Sequence, residues 1–177
     1  MSMKASGKQP LTQHKPGNPP GEFEGPAMSD LEVRLFNDDA SIIKIGEGLI
    51  ARNLLHEEWT HEAHLAACTW IVCNCPDIQP EQDMRSIISA FNESVGVIND
   101  DSQGYHETIT QVYIAAVRAH LAEIEADMPL CDVVNALLLS QRGRRDLPLR
   151  FYSRELLFSV AARRDFVEPD RASLSEI

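Results

Sequence analysis

The chain has 177 residues, a formal net charge of −11 and a sequence pI near 4.9. Such acidity repels phosphate backbones and anionic lipid, which argues against nucleic acid and membrane surfaces as partners. There is no apolar run long enough to span a bilayer, and residues 1–20 lack the apolar core of a secretory leader, so a cytoplasmic protein is expected.

Residues 1–28 hold half of the ten prolines and four of the nine glycines, with almost nothing apolar to bury, and are expected to be a disordered tail. Residues 29–177 are expected to form one helical domain. Ser29 or Asp30 is a candidate cap for a short helix through Leu31, Val33, Leu35 and Phe36. From Ala40 the residues Ile42, Ile43, Ile45, Leu49 and Ile50 recur at helical spacing, which predicts a helix over 40–53 capped by Asp39 or Ser41. A second helix over about 57–74 ends where Pro76 forbids continuation, and its start depends on whether Thr60 is the N-cap. Pro80 opens a third, with Met84, Ile87, Ile88, Phe91 and Val95 as one stripe that stops by Gly96. The polar loop 99–104 offers caps for the longest helix, about 105–126. Cys131 to Leu139 suggests a fifth, ending before Gly143, and Phe151 to Ala162 one more, before an extended ending at 167–170. With no period-2 strand pattern, the expected fold is an all-α bundle of five to six helices.

Three of the six histidines fall within residues 54–65. At about 100° per residue, Glu57, His61, His64 and Cys68 share one helical sector, whereas His56 faces elsewhere. His61 and His64, three apart, can both reach one ion. His106 opens the longest helix, where the positive end of the helix dipole keeps an imidazole neutral, and it shares a face with Thr110, Tyr113 and His120. Two readings follow. In the first, His61, His64 and His106 hold a divalent metal ion with one position open for water, and Glu57 or Glu58 is the general base. In the second, His64 and His106 are core histidines hydrogen-bonded across packed helices, while His61 and the glutamates face solvent. Glu58-Trp59-Thr60-His61 has the E-x-x-H spacing of di-iron carboxylate bundles, but the second copy that such a centre needs is missing.

The C-terminal part is locally basic, with eight arginines against five acids between Arg142 and Arg171. Arginine presents a planar fork suited to carboxylate or phosphate. Tyr105, Glu107, Arg150, Tyr152 and Arg154 are therefore the candidate contacts for a small anionic substrate, or the arginines pair with the acidic excess of the bundle itself. The four cysteines, Cys68, Cys73, Cys75 and Cys131, have neither C-x-x-C spacing nor the density of a disulfide scaffold, and are read as thiols.

The stretches Trp59-Thr60-His61-Glu62-Ala63-His64-Leu65, residues 104–110 (G-Y-H-E-T-I-T) and residues 152–159 (Y-S-R-E-L-L-F-S) resemble a set of small bacterial proteins of unassigned function. More loosely the chain resembles the DinB-type helical bundles. That resemblance implies a divalent metal held by three histidines from different helices, and thiol-dependent transferase or hydrolase chemistry. The order differs, because DinB-type bundles place a lone histidine first and an H-x-x-x-H pair later. The leading expectation is thus a metal-dependent hydrolase- or transferase-like enzyme. The alternative is a non-enzymatic binding or adaptor protein that docks an acidic partner through its arginine-rich end. The oligomeric state has no signature in the sequence.

Overall fold

Asp38 closes an extended stretch and accepts the Ser41 backbone N–H at 2.8 Å, and this cap starts α1 (Asp39–Ala51). In the computed structural model, which describes residues 32–125 and 127–177, the described chain is an all-α bundle without strands. The expected tail, residues 1–28, lies outside the described residues. The five longer helices are α1, α2 (His61–Asn74), α3 (Pro80–Ser94), α4 (Glu107–Glu123) and α5 (Leu130–Leu139). Three short ones follow, α6 (Pro148–Phe151), α7 (Arg154–Leu157) and α8 (Val160–Arg164). None of the described helices is long and apolar enough to cross a membrane.

Helix α2 is the centre of the bundle. Ala63, Leu65, Ala66, Ala67, Cys68, Thr69 and Ile71 are all buried, so apolar residues surround it instead of forming one stripe. Gly46 of α1 lies against the Trp70 ring, and a Cβ there would collide with it. The ~1 kcal/mol that a mid-helix glycine costs is thus tied to the close approach of α1 and α2. Ile42, Leu49, Leu65, Ile71, Phe91, Val117 and Leu137 join all five long helices in the main core. A second cluster joins Val112 and Ala116 of α4 to Leu147, Phe151, Tyr152 and Leu157, and Tyr113 packs against both clusters.

Two expected elements differ from the structure. Residues 32–36 are not helical; the expected cap, Ser29 or Asp30, and Leu31 lie outside the described residues. The Asn135 side chain accepts the Phe36 N–H and donates to the Phe36 carbonyl, both at 2.9 Å, so a partner on α5 satisfies the backbone that a helix would have satisfied. The single helix expected over 151–162 is broken into α6, α7 and α8. Ser153 and Ser159 each accept a backbone N–H three residues on, from Leu156 at 3.2 Å and Ala162 at 3.1 Å, and each restarts the helix in a new direction. The cap of α1 is Asp38, not Asp39 or Ser41; Asp39 instead accepts the Cys131 N–H at 2.6 Å and ties α1 to α5.

Candidate functional site

Thr60 is the N-cap of α2, with its hydroxyl accepting the Ala63 N–H at 3.3 Å, so the helical frame starts at His61. Within that frame His61, His64, Leu65 and Cys68 line one wall of a cavity of about 350 Å³. Met84 and Ile88 of α3 form a second wall, and Ile109, Thr110, Tyr113 and Ile114 of α4 a third. Trp59 and Arg145 stand at its edges. The volume sits near the lower end of the ~300–1,000 Å³ typical of small-molecule pockets.

The polar groups around this space are arranged from a distance. His61 Nε2 donates to the Gly143 carbonyl at 2.8 Å, which fixes the tautomer and leaves Nδ1 as an acceptor. Gly143 can present that carbonyl because the loop folds tightly against the end of α5; a Cβ there would meet the Leu137 carbonyl and the Leu138 backbone. The Tyr113 hydroxyl reaches the Arg144 and Arg145 carbonyls at 2.9 and 3.1 Å, and its ring meets that of His61 edge to face at 5.3 Å. Held in this way, Arg145 extends Nη2 to Glu62 Oε1 at 2.7 Å. Burial alone would push the Glu62 carboxyl up, but its own backbone N–H, the Thr60 hydroxyl and Arg145 together bring it below the ordinary carboxylate value, so it is ionised. Its second oxygen makes no hydrogen bond.

His64 is different from every other histidine near it. Neither ring nitrogen has a hydrogen-bond partner among the described residues, and the ring rests against Trp59 with centroids 4.1 Å apart. Its surface is exposed within the cavity although the ring lies deep in the surrounding protein. Burial, and then the neighbouring His61 and Arg145, hold its pKa down to about 3 against the partial opposition of Glu62. It is a neutral imidazole with one donor and one acceptor. Burial likewise lowers His61 and raises the Cys68 thiol to about 12, so Cys68 is an unreactive wall of the cavity.

The other expected site residues lie elsewhere. His106 is the N-cap of α4: Nδ1 accepts the Ile109 N–H at 3.3 Å and Nε2 donates to the Leu157 carbonyl at 2.9 Å. With both nitrogens spent it has no lone pair for a metal, and no group of three or more His, Cys, Asp or Glu side chains among the described residues is placed to hold an ion. The expected divalent ion would find His61 and His64 alone, two ligands where a catalytic zinc site needs three. The structural alternative holds for His106, a buried histidine bonded across to the Leu157 carbonyl, but not for His64, which is unpartnered, nor for His61, which is half-buried and bonded to Gly143.

Glu57 and Glu58 fall in a separate turn, His56–Glu58, outside the α2 frame. Glu58 accepts the Lys44 ammonium at 2.6 Å and the Leu55 N–H at 2.9 Å, and the lysine bond holds its carboxyl below the ordinary value. Neither glutamate lines the cavity. Tyr105 donates to Glu107 at 2.8 Å, and Gln111 and Arg85 close the network around that carboxylate at 2.7 and 3.0 Å. Tyr152 donates to the Val167 carbonyl at 2.9 Å, while Arg150 and Arg154 are exposed and lie over the Phe151 and Phe158 rings. None of these five lines the cavity. The basic residue that does is Arg145, and the other polar contributions are Tyr113 and Thr110.

No family model matches this chain, and no curated protein and no solved structure matches it either. The likeness to DinB-type bundles therefore rests on the motifs alone.

Proposed function

We propose that this protein binds a small, largely apolar molecule in the cavity between α2, α3 and α4, with His64 as the polar contact that orients it. The observation that supports the reading is an exposed imidazole, with neither nitrogen hydrogen-bonded among the described residues, on the wall of a mostly apolar space of about 350 Å³. Such a ring offers one donor and one acceptor to a molecule in the cavity, and a few convergent polar groups in a mostly apolar pocket are the usual makeup of a small-molecule site. The three-histidine metalloenzyme falls behind this reading because His106 is committed to backbone partners at both nitrogens. Four free thiols support a reducing, cytoplasmic setting.

Trp59 supplies the readout, since its ring touches His64. A fragment library screened by intrinsic fluorescence and thermal shift is expected to yield ligands that perturb Trp59 and raise Tm. Ile88→Trp, which fills the cavity from α3, is expected to abolish both responses while the chain stays folded. Retention of the same ligands by Ile88→Trp would move the site elsewhere and remove the proposal.

A further inference from the structure

The chemistry of the cavity wall narrows the ligand class. Among the residues lining it there is no Asp or Glu, and the one side chain that keeps a full charge near neutral pH is Arg145. Glu62, the partner of Arg145, stands behind it and is only 3 % exposed, so it offers nothing to a molecule in the cavity. An ammonium group entering this space would meet a guanidinium and no carboxylate, which excludes amines.

The donors already spent point the same way. The Tyr113 hydroxyl is given to the Arg144 and Arg145 carbonyls, the Thr110 hydroxyl to the His106 carbonyl at 2.9 Å, and His61 Nε2 to Gly143. What remains are one acceptor nitrogen each on His61 and His64 and, in larger number, donors. Of the five N–H groups of Arg145, one is held by Glu62 and no other hydrogen bond is made among the described residues, and His64 retains its ring N–H. The opposite walls, Met84, Ile88, Ile109 and Ile114, are apolar and fit a ring or a short chain.

Resting on the binding reading above, we propose that the ligand is a monocarboxylic acid with an apolar body of aryl or medium-chain alkyl type. Its carboxylate is received at the Arg145 edge by the guanidinium, with His64 donating to the second oxygen, and its body fills the space between α3 and α4. The fork of Arg145 suits this task because Glu62 already orients it while Tyr113 holds the backbone that carries it, so little side-chain entropy is lost when the anion arrives.

The test is a matched panel measured by isothermal titration: hexanoic, octanoic, 3-phenylpropionic and 4-phenylbutyric acids, each beside its primary amide and the corresponding primary amine. At least one acid is expected to bind about tenfold or more tightly than its amide, with no binding by the amines. Arg145→Gln is expected to bring that acid down to the affinity of its amide and to leave the amide unchanged. Because Arg145→Gln orphans Glu62, the double variant Glu62→Gln/Arg145→Gln is measured beside it, and the same loss of preference is expected there. Amides that bind as tightly as their acids, or an acid preference that survives both variants, would overturn the carboxylate assignment while leaving the cavity as a binding site. Failure of every member to bind would overturn the binding reading as well.

Discussion

At the start of α4, His106 spends both ring nitrogens on backbone partners, whereas across the bundle His64 on α2 spends neither. The first region is a latch. His106 fastens Leu157 of α7, Thr108 fastens the Asp165 carbonyl at 3.0 Å, and Arg163 reaches the Tyr105 carbonyl at 3.1 Å, so α7 and α8 are laced onto the start of α4. The second region leaves a polar ring unpartnered on the wall of a mostly apolar cavity and spends two donors, His61 and Tyr113, on positioning the 143–145 loop. Polar groups that complete each other serve stability, and polar groups left unpartnered on a cavity wall are free to meet a ligand. The two imidazoles look alike in the sequence and differ in this one respect.

Four outcomes would break or sharpen that contrast. The largest is expected for His106→Ala, which removes the cap of α4 and strands the Leu157 carbonyl. A loss of about 2–4 kcal/mol is expected in urea unfolding, with His106→Asn recovering part of it by restoring the cap. A loss below about 0.5 kcal/mol would deny the latch.

Next comes Gly143→Ala. The added Cβ would press the loop away from Leu137 and Leu138 and lengthen the bond to His61, so about 1–3 kcal/mol of destabilisation is expected together with weaker binding of any cavity ligand. Loss of stability with full binding would show that the loop does not position the site.

His64→Leu is expected to leave stability unchanged or to raise it by about 1 kcal/mol, while ligand-induced thermal shifts disappear. Marked destabilisation would place His64 with His106 among the structural histidines.

The smallest effect is in pH dependence. His61, His64 and His106 all have pKa values depressed by burial below the ordinary 6.5, so the unfolded chain takes up protons first as pH falls. Their contribution is fully present above pH 6.5 and is lost as pH drops from there toward the folded values. Tm should therefore fall between pH 7 and pH 5, and the slope should be shallower in His64→Leu than in the parent. An unchanged slope would show that His64 is not held neutral by its surroundings.

The all-α architecture, the helices starting near residues 40, 80 and 105, the end of α2 before Pro76 and the fifth helix ending before Gly143 are legible in apolar periodicity and in Pro and Gly punctuation, which act over a few residues. The common face of His61, His64 and Cys68 is legible for the same reason, because helical geometry alone sets it. Glu57 drops from that face through a local choice that the sequence left open, the capping of α2 by Thr60. His106 fails as a ligand because a cap residue stands outside the helical frame that the arithmetic assumed.

The decisive facts are long-range. His61 meets a carbonyl 82 residues away, His106 one 51 residues away, and Arg145 finds Glu62 across 83 residues. The sequence by itself determined which side chains share a helix face and that His61 and His64 belong together. Only the tertiary structure decided which nitrogens were already spent, since a hydrogen bond between distant segments depends on packing angles that no local pattern encodes.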